Sequence, residues 1–154
     1  MNKELQKVID RLQEHINLVP LEFLKYPDGE LRRKPAQKKW SKKEILGHLI
    51  DSAANNHHRF VKIQFLPPLF NVEGYAQDDW VEIQKYNEKD SQELVNLWKV
   101  YNEHLLFIMQ NTPDKNLDLK IEADYLSDKG DTFYILMKDY VDHMDHHLKQ
   151  IFNK

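Results

Sequence analysis

The chain has 154 residues, the usual size of one domain built around one core. Lys plus Arg number 22 against 25 Asp plus Glu, a formal charge of −3, which excludes the basic excess that a nucleic-acid-binding face requires. At 41% hydrophobic and 31% charged the chain is polar, yet 3 Trp, 7 Tyr and 7 Phe supply anchors that a disordered chain lacks. The absence of cysteine removes disulfides, thiolate zinc ligands and a cysteine nucleophile together, and fits a reducing, cytoplasmic setting. No run approaches the roughly eighteen apolar residues that span a bilayer. The charged start MNKELQKVIDRLQEH reads as an amphipathic helix and not as a signal peptide.

Residues 3–19 place Leu5, Val8, Ile9, Leu12, Ile16 and Val19 at helical spacing, and Pro20 and then Pro27-Asp28-Gly29 predict an end and a turn. A second helix opens at Ser41-Lys42-Lys43-Glu44, a capping box, and continues through Ile45, Leu46, Leu49, Ile50, Ala53 and Phe60 until Pro67-Pro68 stops it. Residues 70–89 lack clean periodicity and read as a long connection with a short helix near residues 78–84. A third helix over about 91–111 is capped by Asp90 and carries Leu94, Leu97, Trp98, Tyr101, Leu105 and Ile108 on one face. Leu117-Asp118-Leu119-Lys120-Ile121 alternates too briefly to make a strong strand. A fourth helix runs over about 132–152, with Phe133, Leu136, Met137, Tyr140, Met144, Leu148 and Ile151 apolar. Four amphipathic helices, with a long crossover between the second and third, predict an all-α four-helix bundle occupying residues 1–154 as a single domain.

Eight histidines then stand out. Each residue turns an α-helix by roughly 100°, which sorts them by direction. On the fourth helix, with Leu136 as the origin, the apolar face centres at about 70°. His147 falls at about 20° and His143 at about −20°, while His146 lies off the face at about −80°. His143 and His147 are one turn apart and point the same way, the spacing that lets two imidazoles reach one metal ion. Three histidines within five residues make such a pair easy to obtain, and a histidine-rich helix end also suits the carbonyl terminus of the helix dipole. On the second helix, His48 heads a stripe with Ser52, Asn55 and Arg59, all within about 40° of it and beside the apolar surface. That stripe is either a solvated face or the lining of a wet, well-paired pocket. Three neutral histidines from two helices form a nitrogen site with open positions, the form of a catalytic centre. His57 and His58 point away from His48, His15 reads as surface or core edge, and His104 lies near the apolar face of its helix. Asp51, three residues after His48, is either an acceptor that orients an imidazole or a surface charge. Asp142 and Asp145 lie opposite the core face and read as solvated.

The stretch Trp40-Ser41-Lys42-Lys43-Glu44-Ile45-Leu46-Gly47-His48-Leu49-Ile50-Asp51-Ser52, continued by Asn55, Arg59 and Phe60, resembles the second-helix signature of the DinB-like superfamily. Tyr75-Ala76-Gln77-Asp78-Asp79-Trp80 resembles the connection of its YfiT-like branch, and Tyr140-Val141-Asp142-His143-Met144-Asp145-His146-His147 its His-x-x-x-His helix. The resemblance implies a four-helix bundle holding one divalent metal ion through His48, His143 and His147, the residues that the angular argument selects. It implies a metal-dependent hydrolase that activates water against a small substrate. Other members imply a thiol S-transferase, in which the metal activates bacillithiol or another low-molecular-weight thiol as thiolate. A non-catalytic metal or small-ligand binding module would use the same residues, because fold does not fix chemistry. In the enzyme readings the ion is zinc or nickel, Arg59 holds an anionic group of the substrate or thiol, and Asn55 and Ser52 position it by hydrogen bonding. A homodimer is expected, with Tyr26, Phe65 and Phe70 as aromatics outside the helix faces that could instead cover the core.

Overall fold

A computed structural model describes residues 2–154. Helix α1 spans Lys3–Phe23, and its first turn is closed by Asn2, whose Oδ1 accepts from the backbone N–H groups of Glu4 and Leu5 at 2.8 and 3.1 Å. The helix does not stop at Pro20. An interior proline costs about 3 kcal/mol, but extending one more turn buries Phe23 completely beside Val19, a gain of similar size. The turn expected at 27–29 is instead the short helix α2, Asp28–Arg32, whose Leu31 reaches the core.

Helix α3 spans Lys42–Lys62 behind the capping box predicted from sequence: Ser41 Oγ accepts from Glu44 N at 3.1 Å and Glu44 Oε1 accepts from Ser41 N at 2.9 Å. Residues 63–90 make the long connection. They hold strand β1, Phe70–Asn71, and helix α4, Gln77–Gln84, followed by a 3-10 turn at Tyr86–Glu88. Helix α5 spans Ser91–Gln110, capped by Asp90. Strand β2, Ile121–Glu122, pairs in parallel with β1 in the register Phe70↔Ile121 and Asn71↔Glu122, so the weak alternation at 117–121 yields only its last residue to a two-residue strand. Helix α6 spans Phe133–Phe152, opened by Thr132.

The four long helices form the bundle. Both α1 and α3 pack on α5 and on α6, which leaves α1 diagonal to α3 and α5 diagonal to α6. The first and third connections therefore cross the bundle, whereas the long second connection joins neighbours. This order places α3 beside α6, the two helices that carry the histidines of interest. Trp98, Phe23, Phe60 and Phe133 fill the centre as fully buried side chains. Tyr140 donates to Asn102 Oδ1 at 2.5 Å, tying α6 to α5 inside the core. No helix among the described residues is long and apolar enough to cross a membrane.

Candidate metal centre

His48 comes from the middle of α3, where Gly47 precedes it. A side chain at Gly47 would run into the Tyr86 ring, so this glycine lets Tyr86 lie flat against the helix. The Tyr86 hydroxyl donates to Asp51 Oδ1 at 2.5 Å, and Gln84 Nε2 donates to the same oxygen at 2.7 Å. Asp51 is thus a buried anchor for the connection and not a surface charge, and its partners are Tyr86 and Gln84, not an imidazole. Burial raises its pKa despite these two donors, and its Oδ2 has no partner.

The packing of α3 on α6 brings three imidazoles together. His143 Nε2 lies 3.2 Å from His48 Nε2 and 3.1 Å from His147 Nε2, and one nitrogen from each ring falls within 4.8 Å of the others. All three rings meet edge to face, with centroids 4.5 to 5.1 Å apart. The Trp40 ring packs tilted against His48, with centroids 4.7 Å apart, and lies 6.4 Å from His147, closing one side. Gln150 Oε1 lies 2.9 Å from His147 Nδ1 and can accept its proton, which leaves the Nε2 lone pair facing His143.

Burial, followed by the charges of the neighbouring imidazoles, pushes the pKa of His48 down to about 3 and that of His143 to about 4. His147 is lowered as well, chiefly by burial. The rings are therefore neutral at physiological pH and offer lone pairs. Those lone pairs repel one another at this spacing unless a proton or a cation stands among them. Nitrogens bonded tetrahedrally at about 2.0–2.1 Å from one zinc ion lie roughly 3.3 Å apart, close to the two short distances seen here. The donor set fits a divalent ion. His48 Nδ1 is buried without a partner, so the second nitrogen of this ring lacks the acceptor that a ligating histidine usually has.

A cavity of about 300 Å³ opens beside the cluster, with His143, Asp139 and Tyr140 of α6 on one side and Ser52, Asn56 and Arg59 of α3 on another. Tyr75 and Tyr125 complete its wall from the connections. Of the polar stripe on α3, Ser52 and Arg59 line this cavity. Asn55 does not: its amide donates back to the Asp51 carbonyl at 2.9 Å. Asn56 takes that place. It follows Ser52 by four residues, a spacing that was available in the sequence. Asp139 precedes His143 by one turn, and its carboxylate accepts from Lys129 at 2.7 Å.

The other histidines lie elsewhere. His57 contacts the Tyr101 hydroxyl at 3.1 Å and the ring of His104, which is exposed. His58 is exposed as well, and His15 pairs with Asp145. Asp142 and Asp145 are not simply solvated: Arg11 of α1 bonds each at 2.8 Å, fastening α1 to the helix that carries His143 and His147.

The family model of the DinB superfamily matches residues 4–151. The chain belongs to the DinB superfamily. A solved structure of another DinB-like protein, YfiT from Bacillus subtilis, superposes with a TM-score of 0.84 at 19% sequence identity, covering 99% of this chain and 87% of that one. That protein is described as a probable metal-dependent hydrolase with an unusual four-helix bundle topology, and the superposition shows that the two chains share a fold. No curated protein matches the chain. Within this DinB bundle, His48, His143 and His147 could form a metal site.

Proposed function

We propose that this DinB protein is a metal-dependent hydrolase acting on a small molecule, with His48, His143 and His147 as the ligands of one divalent ion, zinc or nickel. One observation carries the reading: three ring nitrogens, kept neutral by burial and drawn from two helices, converge beside a cavity that His143 lines. A three-nitrogen set leaves at least one coordination position open, the arrangement of a catalytic site and not of a closed structural one. When bound, the ion supplies Lewis acidity, lowering the pKa of a water or polarising a substrate oxygen. The remaining work belongs to the chain. Trp40 covers His48 and keeps bulk water from that side. Gln150 sets the His147 tautomer. Ser52 and Asn56 offer a hydroxyl and an amide to orient the substrate, whereas Asn55 steadies the α3 backbone. Residues 1–154 act as one domain, since both ligand-bearing helices depend on the shared core.

The test is metal analysis of protein purified without a histidine tag, followed by a screen of the metal-loaded protein against small esters and amides. About one equivalent of metal, with hydrolysis lost in His143→Ala, supports the reading. Turnover that requires bacillithiol or another small thiol would replace the hydrolase with an S-transferase. Bound metal without any turnover would leave a binding module.

A further inference from the structure

We infer that the cavity recognises its substrate through a single carboxylate group, seated on Arg59 at the end remote from the histidines. This deepens the hydrolase reading by naming the substrate class, and it rests on that reading only for the word substrate. Arg59 follows His48 by eleven residues on α3, about 16 Å along the helix axis between their backbones, which places it toward the end of the cavity away from His48 as a group that binds. The residue is 9% exposed, which is costly for a charge that cannot be neutralised by losing its proton. Its partners are neutral: Asn56 Oδ1 accepts from Nη1 at 3.4 Å, and the Glu73 carbonyl accepts from Nη2. Among the described residues no carboxylate forms an ion pair with it. A buried guanidinium that keeps free donors and has no carboxylate partner inside a cavity is suited to hold an anion.

The surroundings narrow the anion. The wall includes the rings of Tyr75 and Tyr125, which suit an apolar or aromatic body attached to the charged group. Asp139 lines the same cavity, and its negative charge is balanced by Lys129 alone. One guanidinium can hold a monoanion beside that carboxylate. Among the side chains of the wall, a phosphate or phosphonate dianion would bring a second charge that finds no further cationic partner and meets Asp139.

Three probes sharing one ring separate these cases: benzoate, benzamide and dianionic phenylphosphonate, titrated calorimetrically into the full-length protein, both metal-loaded and stripped by chelator. Benzoate should bind about tenfold or more tightly than benzamide, the worth of a charge-assisted pair, and in the stripped protein also more tightly than phenylphosphonate. The preference for benzoate over benzamide should appear in both metal states, vanish in Arg59→Gln and survive in part in Arg59→Lys. Asp139→Asn should improve phenylphosphonate relative to benzoate. The inference is overturned if wild-type protein binds benzamide as well as benzoate, or binds neither, comparisons that need no variant. It is also overturned if the preference exists only with metal present and persists in Arg59→Gln, because the carboxylate would then be ligating the ion. Failure of the metal reading would show as absence of bound metal and would leave the stripped-protein titrations untouched.

Discussion

His48 and His143 stand 95 positions apart in the chain, yet their Nε2 atoms lie 3.2 Å from each other across the α3–α6 contact. His143 Nε2 is also the ring nitrogen that lies close to both others, at 3.2 Å from His48 Nε2 and 3.1 Å from His147 Nε2. Removing it should therefore abolish metal binding rather than merely weaken it. Tag-free wild-type protein should carry about one equivalent of a divalent metal and His143→Ala essentially none. A ligand that binds only the folded state at about a hundredfold excess over its Kd stabilises by about 2.7 kcal/mol, so chelation should lower the Tm of wild type by several degrees and leave His143→Ala unmoved. Equal metal content in the two proteins would place the ion elsewhere.

The same burial that keeps these rings neutral makes the metal-free protein sensitive to acid. His48 and His143 are held at about 3 and about 4 in the folded state against an ordinary value of 6.5. Below about pH 6.5 the unfolded chain takes up protons that the folded chain refuses, so stability rises with pH through this window and falls on acidification. The urea midpoint of chelator-treated protein should drop between about pH 7 and about pH 5, with the slope reduced in His143→Gln. A midpoint that does not change across that interval would mean the rings are more accessible than their packing implies.

The parts of the site that follow from helix periodicity were legible in the sequence. His143 and His147 share a face because they are one turn apart, and His48 sits at the edge of an apolar stripe whose position the capping box fixes. What was not legible depends on contacts between distant segments. Tyr75 and Tyr125 enter the cavity from irregular connections, for which no period predicts a direction. Asp142 and Asp145 look solvated on their own helix, and only the docking of α1 reveals Arg11 between them. Pro20 misled as a terminator because its local cost is offset by Phe23, whose burial is a property of the bundle. Asn55 and Asn56 differ by about 100° around the helix, and which one reaches the cavity is decided by where the connection packs, not by the stripe.

Gly47 gives a test of that connection. In an ordinary helix interior a change to alanine gains roughly 1 kcal/mol of propensity. Here the new methyl would overlap the Tyr86 ring, and overpacking costs about 1–3 kcal/mol. Displacing the ring would also break its hydroxyl bond to the buried Asp51 carboxyl, worth about 1.5–3 kcal/mol for a charged acceptor. The losses outweigh the gain. Gly47→Ala should be destabilised by about 2–4 kcal/mol in urea titrations, and a stabilised variant would show that Tyr86 is free to move aside.

Gln150 isolates the role of a residue that touches a ligand but not the ion. Its Oε1 lies 2.9 Å from His147 Nδ1, and accepting that proton commits the Nε2 lone pair to the cluster. Loss of such an acceptor typically weakens metal affinity by about tenfold or more, because the ring can rotate and its tautomer is no longer set. The side chain is exposed near the end of α6, and alanine is a good helix former, so stability should change by less than about 0.5 kcal/mol. Gln150→Ala should therefore lose about tenfold in affinity against a chromophoric chelator while its metal-free unfolding curve stays in place. Gln150→Glu keeps an acceptor at the same reach and should bind at least as tightly as wild type. If the alanine variant retains full affinity, packing against Trp40 and His143, and not the hydrogen bond, orients His147.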